Sequence, residues 1–204
     1  MEQRIQKEIL KHLGYPPEVA PDRSVAMRVE NVWRTLKEIS NFRYLYAEFS
    51  VLPRFLQTEA YREYLADCSH ILLCATTLGN EVDKHLRRLE LTDMASAVVF
   101  DTTAGVYLEM LADTYEAALP YPELGFRFCP GYGGTPLSDS RNIAEILHAE
   151  KIGISFLDSG MMLPSKSMTG VIRIGGIKPK SCTNCTNFSH CSYRMRGTTC
   201  YRNK

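Results

Sequence analysis

The apolar residues of this 204-residue chain recur at two different spacings, and the alternation between them limits the folds that it can adopt. Spacings of three and four residues predict helices at 2–13, 25–36, 80–91 and 94–118, with one more beginning after Ser138. Short apolar or aromatic runs predict strands at 42–52, 71–75, 126–129, 153–158 and 168–174. We therefore expect an α+β fold, with a mixed or antiparallel sheet and helices packed on it.

Length and composition set the class of protein. The length allows one domain with a small appendage, and 45% hydrophobic with 23% charged residues excludes wholesale disorder. No run approaches the ~18 consecutive apolar residues that cross a bilayer. Residues 1–8 alternate charged with apolar side chains and lack the apolar segment of a signal peptide. We therefore expect a cytoplasmic protein with no membrane contact.

The charges are unevenly divided along the chain. The last acidic residue is Asp158, and residues 159–204 contain eight basic residues and no acidic ones. A basic end of this kind is typical of a nucleic-acid-binding tail, or of a segment that surrounds an anionic group. The first 158 residues hold 16 basic and 23 acidic residues, which disfavours a zinc-containing nucleic-acid-binding protein and leaves it as a minor alternative.

Four of the seven cysteines crowd this basic end, as Cys182-x2-Cys185-x5-Cys191-x8-Cys200. Without a secretion signal, such density favours a metal site over a disulfide framework, although disulfides or unliganded thiols are the alternatives. Four thiolates fit a zinc ion or an iron–sulfur cluster equally well, and His190 is a weaker alternative ligand. We expect residues 1–177 to form the main domain and residues 178–204 a Cys-rich appendage that needs its metal for order.

The stretch from 127 to 136, Arg-Phe-Cys-Pro-Gly-Tyr-Gly-Gly-Thr-Pro, is the most informative loop. Its glycines allow a ligand to approach the main chain, and its prolines fix the backbone path. Arg127 can hold a carboxylate in a bidentate fork, and Tyr132 offers a stacking face with a hydroxyl group. Composition alone favours a rigid surface loop, since Gly/Pro-rich loops are common.

The motif Arg127-x-x-Pro130-Gly131-Tyr132 and the later residues resemble the reactivation domain of cobalamin-dependent methionine synthase, which binds S-adenosylmethionine (SAM). The match continues to about residue 170 through Glu150-Lys151-x-Gly153-Ile154, Ser159, Met162, Pro164, Ser167 and Gly170. The segments 9–15 and 75–79 are similar to stand-alone versions of that domain. The chain departs from the family where Gly133 replaces a proline and Gly134-Thr135-Pro136 replaces Ala-Cys-Pro; the histidine segment that follows in the family is missing.

The resemblance implies a role for each motif residue. Arg127 would hold the carboxylate of SAM, Cys129 and Gly131 would contact its amino and adenine ends through the main chain, and Tyr132 would line the site. Glu109 would face the sulfonium–amino end, with Gly105, one helical turn earlier, as the alternative position. A solvated carboxylate on a helix explains Glu109 equally well.

The function implied is that of a separate reactivation subunit, in a split methionine synthase of methionine biosynthesis. One electron and a methyl group from SAM would restore methylcobalamin from cob(II)alamin bound to another chain. The electron would come from flavodoxin, ferredoxin or the tail, and the last source favours iron–sulfur over zinc. We expect no catalytic base here, and a methyltransferase component rather than a complete enzyme. The alternative is an accessory protein of another corrinoid methyl-transfer pathway.

Overall fold

A computed structural model describes residues 1–16, 18–68, 70–176, 180–183, 185 and 187–201. Within them the helices are α1 (Gln3–His12), α2 (Arg23–Ile39), α3 (Glu59–Leu65), α4 (Asn80–Thr92), α5 (Met94–Ala117), α6 (Asp139–Leu147) and α7 (Ser192–Met195). The strands are β1 (Arg43–Phe49), β2 (His70–Thr77), β3 (Ser155–Phe156), β4 (Met162–Leu163) and β5 (Ser167–Ile174), and short 3-10 helices lie at Arg54–Leu56 and Ala149–Ile152.

The chain divides into two compact units, and the α+β class expected from the sequence is confirmed. The first unit comprises Met1–Arg43, Thr77–Ala118 and Leu163–Ser167. The second comprises Tyr44–Thr76, Leu119–Met162 and Met168–Lys204. No helix in the described residues is long and apolar enough to span a bilayer. The predicted boundary between residues 177 and 178 lies outside the described residues.

The first unit is built around α5, against which α1, α2 and α4 pack. The side chain of Asp93 caps α5, because its carboxylate accepts a hydrogen bond from the main-chain N–H of Ser96 at 3.0 Å. Trp33 of α2 meets Tyr107 of α5 edge to face, with ring centroids 4.9 Å apart. The helices predicted at 2–13, 25–36, 80–91 and 94–118 are confirmed.

The second unit contains the body of an antiparallel sheet with the strand order β1-β2-β5. Strand β2 is buried on both faces, which explains why residues 71–75 are a continuous apolar run. Ile71 and Leu73 pack on one face with α3 and α6, whereas Leu72 and Cys74 pack on the other with Ile172 of β5. This alternation follows from the two-residue period of a strand.

The strand predicted at 126–129 is wrong in form, because the segment 124–128 makes only two isolated antiparallel bridges to β5. Leu124 pairs with Ile174 and Phe128 pairs with Val171. Between these two bridges the chain advances by four residues in the segment 124–128 but by only three in β5. The segment 124–128 therefore contains one extra residue, which interrupts the ladder as in a β-bulge. Likewise, the strand predicted at 153–158 shortens to Ser155–Phe156, and α3 was not predicted.

The first prediction concerns Glu8 of α1, whose carboxylate contacts Lys11 at 2.6 Å and His12 at 3.2 Å. Burial raises the pKa of Glu8, but hydrogen bonds from His12 and Lys11 outweigh it and lower the pKa from 4.5 to about 2. A folded pKa below the unfolded one stabilises the native state above pH 4.5, and this stabilisation is lost as the pH falls towards 2.

Glu8→Gln should therefore lower the free energy of unfolding by ~1–2 kcal/mol at pH 7 and by much less at pH 3. Urea unfolding at both pH values measures the difference. Glu81→Gln is the matched control, because its ion pair with Lys84 is exposed and should matter little at either pH. An equal loss at pH 7 and pH 3 for Glu8→Gln would contradict this account.

Candidate functional site

The Gly-rich loop lies between the bridged segment 124–128 and α6, and Thr135 holds it closed. The hydroxyl of Thr135 accepts a hydrogen bond from the N–H of Gly131 at 3.0 Å and donates one to the carbonyl of Tyr132 at 2.7 Å. Gly131 has a φ of +93°, a conformation in which a side chain would be strained. The loop therefore has a defined path, which suits a site that reads a ligand with its main chain.

The motif residues alone did not identify Thr135 as part of the site. A threonine followed by proline just before a helix is nevertheless a recognisable turn signal. The hydrogen bond between Thr135 and Gly131 also changes which main-chain group of Gly131 a ligand could contact. Because the N–H of Gly131 is engaged inside the loop, a ligand would meet its carbonyl group instead. At Gly134, by contrast, no heavy atom lies within 4 Å of the place where a Cβ would stand, so the main chain there faces open space.

A buried pair fixes the point where the loop enters α6. The hydroxyl of Tyr61, on α3, donates to Asp139 Oδ2 at 3.0 Å, and Asn142 Nδ2 donates to Asp139 Oδ1 at 3.1 Å. Burial first, and then the hydrogen bond to Asp139, raise the pKa of Tyr61 well above its ordinary value. Tyr61 thus stays protonated and keeps donating, so α3 positions the far end of the loop.

Arg127 begins the loop, and its side chain is only 7% exposed. Its aliphatic stem lies across the Cα of Gly170 on β5, where an added Cβ would collide with Cγ of Arg127. The same Cβ would also stand 3.3 Å from the sulfur of Cys74. Gly170 therefore provides the space in which the stem of Arg127 lies, and the packing holds the guanidinium group in one place.

The remaining predicted residues differ in exposure. Tyr132 is 62% exposed, so its ring face is accessible for stacking, while Cys129 is half-buried beside it. Arg127, Cys129, Gly131 and Tyr132 thus share one short segment of the second unit. Glu109 is exposed on α5 and belongs to the first unit.

The tail cysteines are all reduced thiols. Burial, followed by the nearby Cys191, Cys182 and Cys185, raises the pKa of Cys200, so the four sulfur atoms lie within electrostatic reach of one another. In the part of the tail that the structure describes, and elsewhere in the described chain, no three Cys, His, Asp or Glu side chains are already in metal-ligand geometry.

No family model matches this sequence, and no curated protein matches it. Among solved structures, it is similar to the crystal structure of the MetH reactivation domain bound to AdoHcy, with a TM-score of 0.58 and 14% sequence identity. The similarity covers 87% of this chain and 77% of that one. The chain has the fold of the MetH reactivation domain. The resemblance found in the motif residues is therefore confirmed for the fold.

The second prediction tests the packing of Arg127 on Gly170. Gly170→Ala should lower the free energy of unfolding by ~1–3 kcal/mol, because the stem of Arg127 and the sulfur of Cys74 must both move. Chemical denaturation measures this loss. Gly105→Ala is the matched control, because its Cβ would meet nothing within 4 Å on α5 and should be neutral or stabilising.

A double variant identifies the obstacle. If the stem of Arg127 causes the strain, Gly170→Ala should cost much less in an Arg127→Ala background, giving a coupling free energy of ~1 kcal/mol or more. Additive effects of the two substitutions would show that Gly170 is needed for another reason.

Proposed function

We propose that this chain binds SAM and acts as the reactivation subunit of a corrinoid-dependent methyltransferase, most simply a cytoplasmic split methionine synthase. The observation that carries the proposal is the buried Arg127 at the start of a braced, Gly-rich loop, on a fold shared with the MetH reactivation domain. That domain was solved with AdoHcy bound, and AdoHcy is SAM without its methyl group.

The groups of the loop fit the two ends of SAM. Arg127 provides a planar cation in a fixed position, which is the partner that a carboxylate prefers. The main chain at Cys129 and Gly131 offers groups for the amino and adenine ends, and the exposed face of Tyr132 can cover an aromatic base. The proposal also includes Glu109, which would balance the positive sulfonium–amino end.

The contribution of this chain to the chemistry is positioning. In the reaction proposed, flavodoxin or ferredoxin would supply one electron to cob(II)alamin on a partner, and the SAM held by this chain would supply the methyl cation and become AdoHcy. Holding the donor in line with its acceptor makes the transfer effectively intramolecular. Because neither step removes a proton, the chain needs no catalytic base.

A second candidate is an accessory protein of another corrinoid methyl-transfer pathway. The departures at Gly133 and Thr135 favour it, because Thr135 braces the loop with a hydroxyl group that the methionine synthase pattern lacks. Both candidates require SAM binding and a corrinoid partner, and they differ in which corrinoid protein binds. Calorimetry with SAM, with AdoHcy and with each candidate corrinoid protein separates them.

The third prediction concerns the anchor of the ligand. Arg127→Ala should weaken SAM and AdoHcy binding by ~10–100-fold, because a charge-assisted hydrogen-bond pair is worth ~1.5–3 kcal/mol. Arg127→Lys should recover part of this loss, since it keeps the charge but not the fork. Arg62→Ala is the control: Arg62 is exposed on α3 and pairs only with Glu59 among the ion pairs described.

The folded state of each variant is checked by its unfolding transition before calorimetry. A folded Arg127→Ala protein with wild-type affinity would remove Arg127 from the site. A wild-type protein that binds neither SAM nor AdoHcy at millimolar concentration would overturn the proposed function itself.

A further inference from the structure

We propose that Cys182, Cys185, Cys191 and Cys200 together bind one metal centre through four thiolates. The centre is one that binds thiolates, either a zinc ion or an iron–sulfur cluster. These cysteines lie outside the Gly-rich loop, so a metal centre here does not depend on the proposed function.

The first step is the local backbone of the tail. The N–H of Cys185 donates to the carbonyl of Cys182 at 3.1 Å, which closes a turn over the Cys-x2-Cys pair. A turn at this spacing places two sulfur atoms at one end of a loop, as in structural zinc sites. Cys191 stands directly before α7, and its carbonyl accepts the first helical bond, from Met195 at 3.1 Å. The residue after Cys200 ties that end of the tail to the first cysteine, because the sulfur of Cys182 contacts the hydroxyl of Tyr201 at 3.9 Å.

The second step is the absence of an apolar core in this segment. None of the described residues between 180 and 201 is fully buried, and Met195 is 80% exposed. The aromatic rings are covered by cations instead, with Arg194 3.5 Å from the centroid of Phe188 and Arg196 5.4 Å from that of Tyr193. A segment this small cannot be ordered by hydrophobic burial, so it requires a cross-link or a metal.

The third step is charge. A zinc ion held by four thiolates carries about −2, and positive groups nearby offset that charge. The tail supplies them in fixed positions: Arg194 donates to the carbonyl of Phe188 at 2.6 Å, and Arg196 donates to that of Ser192 at 3.1 Å. No acidic residue follows Asp158, so the tail contains no carboxylate side chain of its own to compete with the thiolates for these cations.

The fourth step is the movement that ligation needs. The described tail thiols are not in ligand geometry, so binding must draw the sulfur atoms together and release their protons. Side-chain rotation and small shifts of exposed turns supply this movement, because no packed core resists it in this segment.

The test uses the full chain, purified without oxygen and again after reconstitution with zinc or with iron and sulfide. Metal and sulfide analysis, the visible spectrum and mass spectrometry after alkylation are measured on each sample. We expect stoichiometric metal, with the four tail cysteines protected from alkylation until a chelator is added. A colourless protein with one zinc identifies a structural centre, and a brown protein with iron and sulfide identifies a cluster.

Variants locate the ligands. Cys191→Ser should lose the metal, whereas Cys68→Ser should retain it, because Cys68 is a half-buried cysteine outside the tail that donates to the carbonyl of Leu65. A chain that holds no metal after both reconstitutions, with all four tail cysteines alkylated freely, would overturn the proposal. Retention of metal in Cys191→Ser, or disulfides between tail cysteines in the oxygen-free sample, would overturn it too.

SAM binding by Cys191→Ser keeps the two proposals apart. Unchanged SAM affinity in a metal-free variant is expected, since none of the loop residues belongs to the tail. A variant that loses the metal but still binds SAM has lost only the metal site. A variant that keeps the metal but no longer binds SAM has lost only the SAM site.

Discussion

Two arginines and two glycines, packed reciprocally where β5 meets the segment 124–128, support the candidate site. The stem of Arg127 lies across Gly170 of β5, and the stem of Arg173 of β5 lies across Gly125 of the other segment. An added Cβ at either glycine would collide with the arginine that covers it. An extra residue interrupts the ladder between the two segments, although Phe128 and Val171 still exchange two main-chain hydrogen bonds of 2.8 and 2.9 Å. The arginine–glycine packing adds to these bonds.

Arg173 carries the constraint further into the second unit. It is 1% exposed, and its guanidinium group donates to the main-chain carbonyls of Tyr64 at 3.1 Å, Ala66 at 2.9 Å and Gly175 at 3.0 Å. Several carbonyl dipoles thereby take the place of a carboxylate for a buried cation. Because Tyr64 and Ala66 lie at the end of α3, the same arginine fixes the helix whose Tyr61 holds Asp139 at the start of α6. Both ends of the Gly-rich loop are therefore fixed from β5.

The sequence was sufficient for the features that depend on local pattern. Long amphipathic helices and the fully apolar strand β2 follow from apolar spacing, and the motif beginning at Arg127 led to the correct fold. It was not sufficient where a partner segment decides the outcome. Helix α3 has only seven residues, too few for a periodic signal, and the interruption beside β5 depends on the register of two segments far apart in the chain. The hydrogen bond from Gly131 to Thr135 likewise depends on how the loop folds back, which the turn signal at Thr135-Pro136 does not specify by itself.

The burial of Arg127 has a consequence for ligand binding that exposed arginines do not share. Most of its water has already been removed by folding, and its stem is already held over Gly170. A carboxylate that reaches it would therefore immobilise little additional side-chain freedom, which is one of the main free-energy costs of association. In the proposed site, the exposed Tyr132 would by contrast be ordered by the ligand that it covers. This division would assign affinity to the fixed arginine and adaptability to the tyrosine.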